Sequence, residues 1–180
     1  LQVGGSISFA PKDVGEAAKW LSDDTRHMLA DLTPKPDQVT LAVNTNQMNV
    51  MELITREDCE GTSMWERNYR EAYTEMYYEA GPAFMKEHMK RLTASGIQTH
   101  FMVTCARDLE TIERLVRNGF YKGPMVCNWV AIGGGADGPN PRNLMEFINR
   151  LPQNAVFTVE GLMRNVYPLG AMGIAMGMHV

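Results

Sequence analysis

Cysteine is scarce in this chain: Cys59, Cys105 and Cys127 are the only three in 180 residues, and no two form a CxxC pair. An odd, widely spaced set excludes a disulfide frame and reads as reduced cytoplasmic thiols. Charge of one sign is not in excess either. Seventeen Lys and Arg against 21 Asp and Glu leave a formal net charge of −4. No basic stripe interrupts that balance, so no nucleic-acid partner is expected. Long apolar runs are missing, and none nears the roughly 20 residues of a membrane-spanning helix. The opening Leu1-Gln-Val-Gly-Gly-Ser6 lacks the basic start and apolar stretch of a signal peptide. It reads as a strand already under way, in a chain expected to have lost its beginning. Signature motifs are also absent. There is no His-x-His pair, no HExxH, no GxGxxG after the first strand, no GxxxxGK followed by Ser or Thr, and no GxSxG elbow. The four histidines lie far apart, and spacing alone assembles no metal site from them. His27 and His88 fall in helical patterns and are expected at the surface.

What is present is a core-forming composition, with 44% hydrophobic residues and 14 methionines suited to filling gaps in packing. The length fits one domain over residues 1–180. Strand and helix patterns alternate throughout. Short strand Leu1–Val3 is followed by a helical pattern over Ala10–Leu32, stopped by Pro34 and Pro36. Gln38–Asn44 is a strand, and a polar excursion covers Thr45–Thr62. Ser63–Ser95 is helical in period but broken at Gly81-Pro82, which predicts two helices, the second opening at Pro82. Thr99–Thr104 is a strand, and Asp108 caps a helix closed by Gly119. Met125–Ile132 reads as a strand covered on both faces. Gly133-Gly-Gly135 then lead through Asn140-Pro141 into a helix over Asn143–Asn149. Ala155–Val159 is a strand, Pro168–Met178 an apolar helix, and Met178–Val180 the start of another strand. Repeated βα units predict parallel strands with crossover helices, in either an open doubly wound sheet or a (β/α)8 barrel. Five strands and a stub do not close an eight-stranded barrel.

In both architectures a site forms at the carboxyl ends of the strands. The glycine loop after Ile132 lets a ligand approach the main chain, or else makes a tight turn. Gly4, Gly5 and Ser6 offer amides and a hydroxyl for a carboxylate or phosphate, or again a turn. Asn44, Thr45, Asn46, Gln47 and Asn49 are more uncharged polar residues than a turn needs, and suit a small polar substrate. His100 shares a strand face with Met102 and Thr104. It reads as a base or ligand, or as a hydrogen-bonded core residue. Asn128 lies within an apolar strand and needs a partner for its amide, as a structural bridge or a substrate contact. Glu160 and Arg164 either pair across a helical turn or leave Arg164 free to grip a carboxylate.

Val130–Pro141, Arg164-Asn-Val-Tyr-Pro-Leu169 and Ala171-Met-Gly-Ile-Ala-Met-Gly-Met-His-Val180 together resemble the β-keto acid cleavage enzymes. Leu1–Ser6 and Val39-Thr-Leu-Ala-Val-Asn-Thr-Asn-Gln-Met-Asn49 fit the same family. The resemblance implies a zinc-dependent (β/α)8 TIM barrel, here a partial one. It condenses a β-keto acid with acetyl-CoA to give acetoacetate and a new acyl-CoA, the zinc polarising the keto group. The resemblance implies that Gly4, Gly5 and Ser6 hold the substrate carboxylate, and that Asn44, Thr45, Asn128 and Arg164 line the pocket. His100 stands where many members carry a glutamate, a departure that puts an acidic role there in doubt. The family's His-x-His pair, its glutamate after the last strand and an early glutamate for proton transfer all fall outside this chain. No metal ligand is expected within it. The partners implied are a small β-keto carboxylate and acetyl-CoA, in a cytoplasmic homo-oligomer. An aldolase-type barrel lyase and a non-catalytic assembly module are the rival readings.

Overall fold

The computed structural model of the chain describes residues 1–4, 9–10, 19–20, 22–48, 55–62, 76–133, 136–162 and 165–180. Among these, five parallel strands form one sheet: β1 (Gln2–Val3), β4 (Gln38–Ala42), β7 (Gln98–Val103), β8 (Val126–Ala131) and β9 (Val156–Gly161). Two short antiparallel ribbons flank it, β2 (Phe9–Ala10) with β3 (Lys19–Trp20), and β5 (Asn46–Met48) with β6 (Met76–Tyr78). The helices are α1 (Asp23–His27), α2 (Arg56–Cys59), α3 (Pro82–Ala94), α4 (Arg107–Arg117), α5 (Pro141–Arg150) and α6 (Tyr167–Ala175).

Strand order decides between the two predicted architectures. The main-sheet strands stand side by side in chain order, β1-β4-β7-β8-β9, with no reversal. A doubly wound sheet reverses direction at a switch point, whereas a barrel adds each strand next to the last. The sheet is a curled half-barrel with helices between its strands. His179 bridges in parallel to Thr158, placing the terminal stub next in the same order.

Local chemistry explains the helix limits. Pro82 occupies the first turn of α3, and the chain leaves it through Gly96 at φ 67°. Asn140 caps α5, its side chain accepting from the Arg142 amide at 2.8 Å with Pro141 in the first turn. Asp108 does not cap α4. The N-cap position belongs to Ala106, and Asp108 sits in the first turn with its carboxylate turned back to the preceding loop. The helix expected over Ala10–Leu32 is replaced in part. Lys19–Trp20 pairs with Phe9–Ala10, and among the described residues the helix opens where the Ser22 hydroxyl accepts from the Thr25 amide, residues 11–18 and 21 lying outside them. The first half of the helical pattern from Ser63 ends likewise in a strand, because Met76–Tyr78 finds a partner in Asn46–Met48. Aromatic residues accept strand geometry once a partner exists.

The outer face of the sheet carries the core. Val39, Leu41, Phe101, Val103, Cys127, Trp129, Phe157 and Val159 are all buried there. Val39 packs with Ala30, Leu92 and Ile97, and the others share one cluster with Met85 and Met89 of α3, Ile112 of α4, Leu144 and Phe147 of α5, and Leu169 of α6. Trp129, Phe147 and Phe157 stack in sequence, with centroids 4.7 and 5.8 Å apart. No helix among the described residues is long and apolar enough to cross a membrane.

Candidate functional site

With the outer face committed to helices, alternate residues of each strand face the concave side. The parallel register aligns them. Gln2 lies beside Gln38, Thr40 beside His100, Met102 beside Asn128, and Asn128 beside Thr158. Glu160 lies beside Val130 on the same face. Polar groups therefore cross the inner face from β1 to β9. The Gln2 amide donates to His100 Nδ1 at 2.6 Å and to the Thr40 hydroxyl at 3.4 Å. That fixes the ring hydrogen on His100 Nε2. Asn128 Nδ2 donates to the Glu160 carboxylate at 2.6 Å. His100 Nε2 and Asn128 Oδ1 are buried and have no hydrogen-bond partner. A buried donor and a buried acceptor left unpaired on one face are what a polar ligand or an ordered water satisfies. Burial pushes the His100 pKa below the ordinary histidine value. The nearby Cys127 carbonyl and the Glu160 charge oppose that shift.

A second polar network lies at the carboxyl ends of β4 and β7. Asp108, 1% exposed, accepts through Oδ2 from the Thr104 amide at 2.9 Å, the Cys105 amide at 3.1 Å and the Thr104 hydroxyl at 3.2 Å. Its Oδ1 accepts from Asn44 Nδ2 at 2.7 Å. Asn44 makes this contact from a left-handed backbone, φ 65°, which asparagine tolerates better than most residues. Asn46 Nδ2 donates to the Thr104 hydroxyl at 2.9 Å, and Arg107 reaches Asn46 Oδ1 at 3.4 Å. The far side of the glycine loop joins through Asp137. Its amide donates to the Thr104 carbonyl at 2.9 Å, and its carboxylate accepts from the Ala106 amide at 3.1 Å. The rim after β4 and β7 and the loop after β8 are thus tied together.

The sequence-derived candidates divide between these two places. His100 and Asn128 lie on the inner face, and Asn44 and Thr45 on the rim, where the Thr45 hydroxyl accepts from the Ala80 amide at 3.1 Å. Gly4 follows β1, exposed, with nothing within 4 Å of where a Cβ would stand. Gly5, Ser6 and Arg164, with Gly134 and Gly135, lie outside the described residues. Glu160 lies in β9 and bonds to Asn128, so it does not sit on a helical turn. His27 and His88 are not at the surface: they are 4% and 0% exposed, packed together between α1 and α3. Helical period marks a face for each but not which neighbour covers it.

Sequence reasoning missed Gln2, Thr40 and Asp108 as contributors. For Thr40 the signal exists, since Gln38 and Thr40 alternate with Val39 and Leu41. For Asp108 the local signal reads as a helix cap, and its bond to Asn44, 64 residues away in sequence, has none. Beyond β9, a cleft of about 650 Å³ takes Thr158 and Glu160 as lining, with Leu169, Ile174 and Val180. Among the described residues no three His, Cys, Asp or Glu side chains converge as a metal-ligand set. They do not by themselves fit a zinc ion.

A model of the beta-keto acid cleavage enzyme family matches residues 11–180. Over 91 residues the chain is 31% identical to a curated relative, the 3-keto-5-aminohexanoate cleavage enzyme of Acetoanaerobium sticklandii. That alignment takes in 51% of this chain and 33% of the relative, so the match spans about a third of the relative's length.

Proposed function

Because the chain belongs to the beta-keto acid cleavage enzyme family, we propose that it binds a small β-keto acid and takes part in its condensation with acetyl-CoA. C2 of the keto acid displaces CoA from the acetyl thioester, the C2–C3 bond breaks, and the acyl carbon freed at C3 joins the CoA sulfur, giving acetoacetate and a new acyl-CoA. The observation that best supports a ligand here is the unpaired His100 Nε2 and Asn128 Oδ1, both buried on the concave face. Asn128 and His100 present an acceptor and a donor to the bound acid. Asn44 and Thr45 shape the rim above them. Gly4, Gly5 and Ser6 hold the carboxylate through amides and a hydroxyl, and Arg164 pairs with it. Zinc, when bound, supplies Lewis-acid polarisation of the keto group. The described residues do not by themselves supply its ligand set. The wider setting we propose is a cytoplasmic homo-oligomer, a reading supported by thiol usage and by the exposed apolar side chains of Tyr167 and Ile174 on α6.

The test is incubation of the protein with acetyl-CoA, zinc and a panel of small β-keto acids. Acetoacetate and acyl-CoA are measured by mass spectrometry. Equal amounts of both products are expected. Keto-acid cleavage without acyl-CoA would favour a lyase. Absence of both turnover and calorimetric keto-acid binding would remove the proposal. Ser6→Ala is expected to raise KM more than it lowers kcat, and an unchanged KM would remove the carboxylate role of that hydroxyl.

A further inference from the structure

A buried titratable cluster that the candidate site does not use lies outside the half-barrel, between α1 and α3. The Nδ1 atoms of His27 and His88 stand 3.1 Å apart, and the rings stack with centroids 5.2 Å apart. Phe84 extends the stack, 4.8 Å from the His27 ring and 5.4 Å from the His88 ring. Arg26, 3% exposed, lays its guanidinium 3.8 Å over Phe84 and donates to the Glu79 carbonyl and to Asp23.

Two Nδ1 atoms at that distance share one hydrogen, one ring donating and the other accepting. The contact therefore needs an accepting ring that is neutral. One added proton places positive charge beside a buried arginine. A proton on the accepting nitrogen sets two N–H groups head to head. The charged groups facing the pair from the described elements are Asp23 and Arg26 of α1, and Glu87 and Arg91 of α3. Both carboxylates already have partners, Asp23 in Arg26 and Glu87 in Arg91 at 2.8 Å. Lys90 also faces Glu87, while Asp24 and Asp31 face Arg91. Burial is the largest reason that both rings resist protonation. His27 lies below the ordinary histidine value, and His88 falls to about 4.

What this pair holds reaches the rim. Arg26 bonds the Glu79 carbonyl, and the next amide, that of Ala80, donates to Thr45 Oγ1. Immediately before Glu79, β6 pairs with β5, which continues directly from Thr45. We propose that His27 and His88 form an acid-sensitive latch. With the rings neutral, the pair clamps α1 on α3 and, through Arg26 and Glu79–Ala80, steadies the Thr45 rim loop. Protonation releases both.

The sign follows from linkage. The freed rings take protons near the ordinary value of about 6.5, but the closed pair does not, so opening is favoured as pH falls below that value. From the His88 value, the opening equilibrium at pH 5 shifts by about 30-fold relative to pH 7.5.

Hydrogen exchange read by mass spectrometry at pH 7.5 and pH 5, corrected for intrinsic rates, tests this. Protection of residues 22–32 and of the Ala80 amide should fall by about 30-fold at pH 5 and stay below that of α5 and β8, which exchange only through global unfolding. In the double variant His27→Phe with His88→Met, which keeps packing but cannot titrate, the difference should vanish. Unchanged protection in the native protein, or an equal loss in the double variant, would overturn the latch. Ring proton titration of the native protein by NMR decides the matter even if the variant does not fold. Both histidines titrating near 6.5 with α1 still protected would refute the proposal.

Discussion

Asp108→Ala is the substitution whose cost follows most directly from the structure. The carboxylate accepts four hydrogen bonds, from the Thr104 amide, the Thr104 hydroxyl, the Cys105 amide and the Asn44 side chain. Alanine takes that acceptor away from all four donors. A buried donor left unpaired costs about 1–3 kcal/mol, and bonds to a charged acceptor lie toward the upper end. Asn44 and Cys105 are only half-buried, so water recovers part of the loss at both. The Thr104 hydroxyl hydrogen can still turn to Cys105 Sγ, 3.8 Å away. The principal loss is thus at the Thr104 amide, with smaller terms from the other two, giving about 3–4 kcal/mol of destabilisation. Urea unfolding followed by far-UV circular dichroism measures it as a fall in midpoint at constant slope. Asp108→Asn keeps one acceptor oxygen and should cost about half as much. A loss below about 1 kcal/mol for alanine would refute the view that this carboxylate organises the rim. Equal losses for alanine and asparagine would refute the hydrogen-bond accounting.

The other predictions concern the inner face, the core and pH. Asn128→Leu removes the unpartnered Oδ1 but also the Nδ2 bond to the half-buried Glu160, so it should cost about 1–2 kcal/mol of stability, while keto-acid affinity by calorimetry falls at least about tenfold; unchanged affinity would detach Asn128 from ligand binding. Gly123→Ala places a Cβ 2.5 Å from the Tyr121 hydroxyl, which is held by Gln98 and by the Pro124 carbonyl, and overpacking of this kind costs about 1–3 kcal/mol in thermal or chemical unfolding. Phe147→Ala empties the centre of the Trp129–Phe147–Phe157 stack and should cost about 3–5 kcal/mol; a smaller loss would mean that the stack collapses to fill the gap. Global stability should be about 2 kcal/mol lower at pH 5 than at pH 8 from His88 alone, because the unfolded chain binds its proton near 6.5 and the folded chain only near 4. In His88→Met that part of the pH dependence should be gone.

The strands legible in the sequence were those with a dense apolar face. Met125–Ile132 and Thr99–Thr104 were located to within a residue or two of β8 and β7, because burial on the helix side demands Val, Trp and Phe whatever the partner strand. Segments whose state depends on a distant partner were not legible. Met76–Tyr78 has a helical period until Asn46–Met48 arrives beside it. His27 and His88 look like surface residues until α1 is laid on α3.

Sequence alone determined the alternation of strand and helix, the carboxyl-end loops and the placing of His100 and Asn128 within strands, because periodicity and turn chemistry act over a few neighbouring residues. Tertiary structure decided the unreversed strand order, which selects a barrel over an open sheet. It also decided the register that sets His100 and Asn128 on one concave face, and the closure of Asp108 on Asn44. Those outcomes depend on contacts between residues tens of positions apart, whose geometry no local pattern encodes.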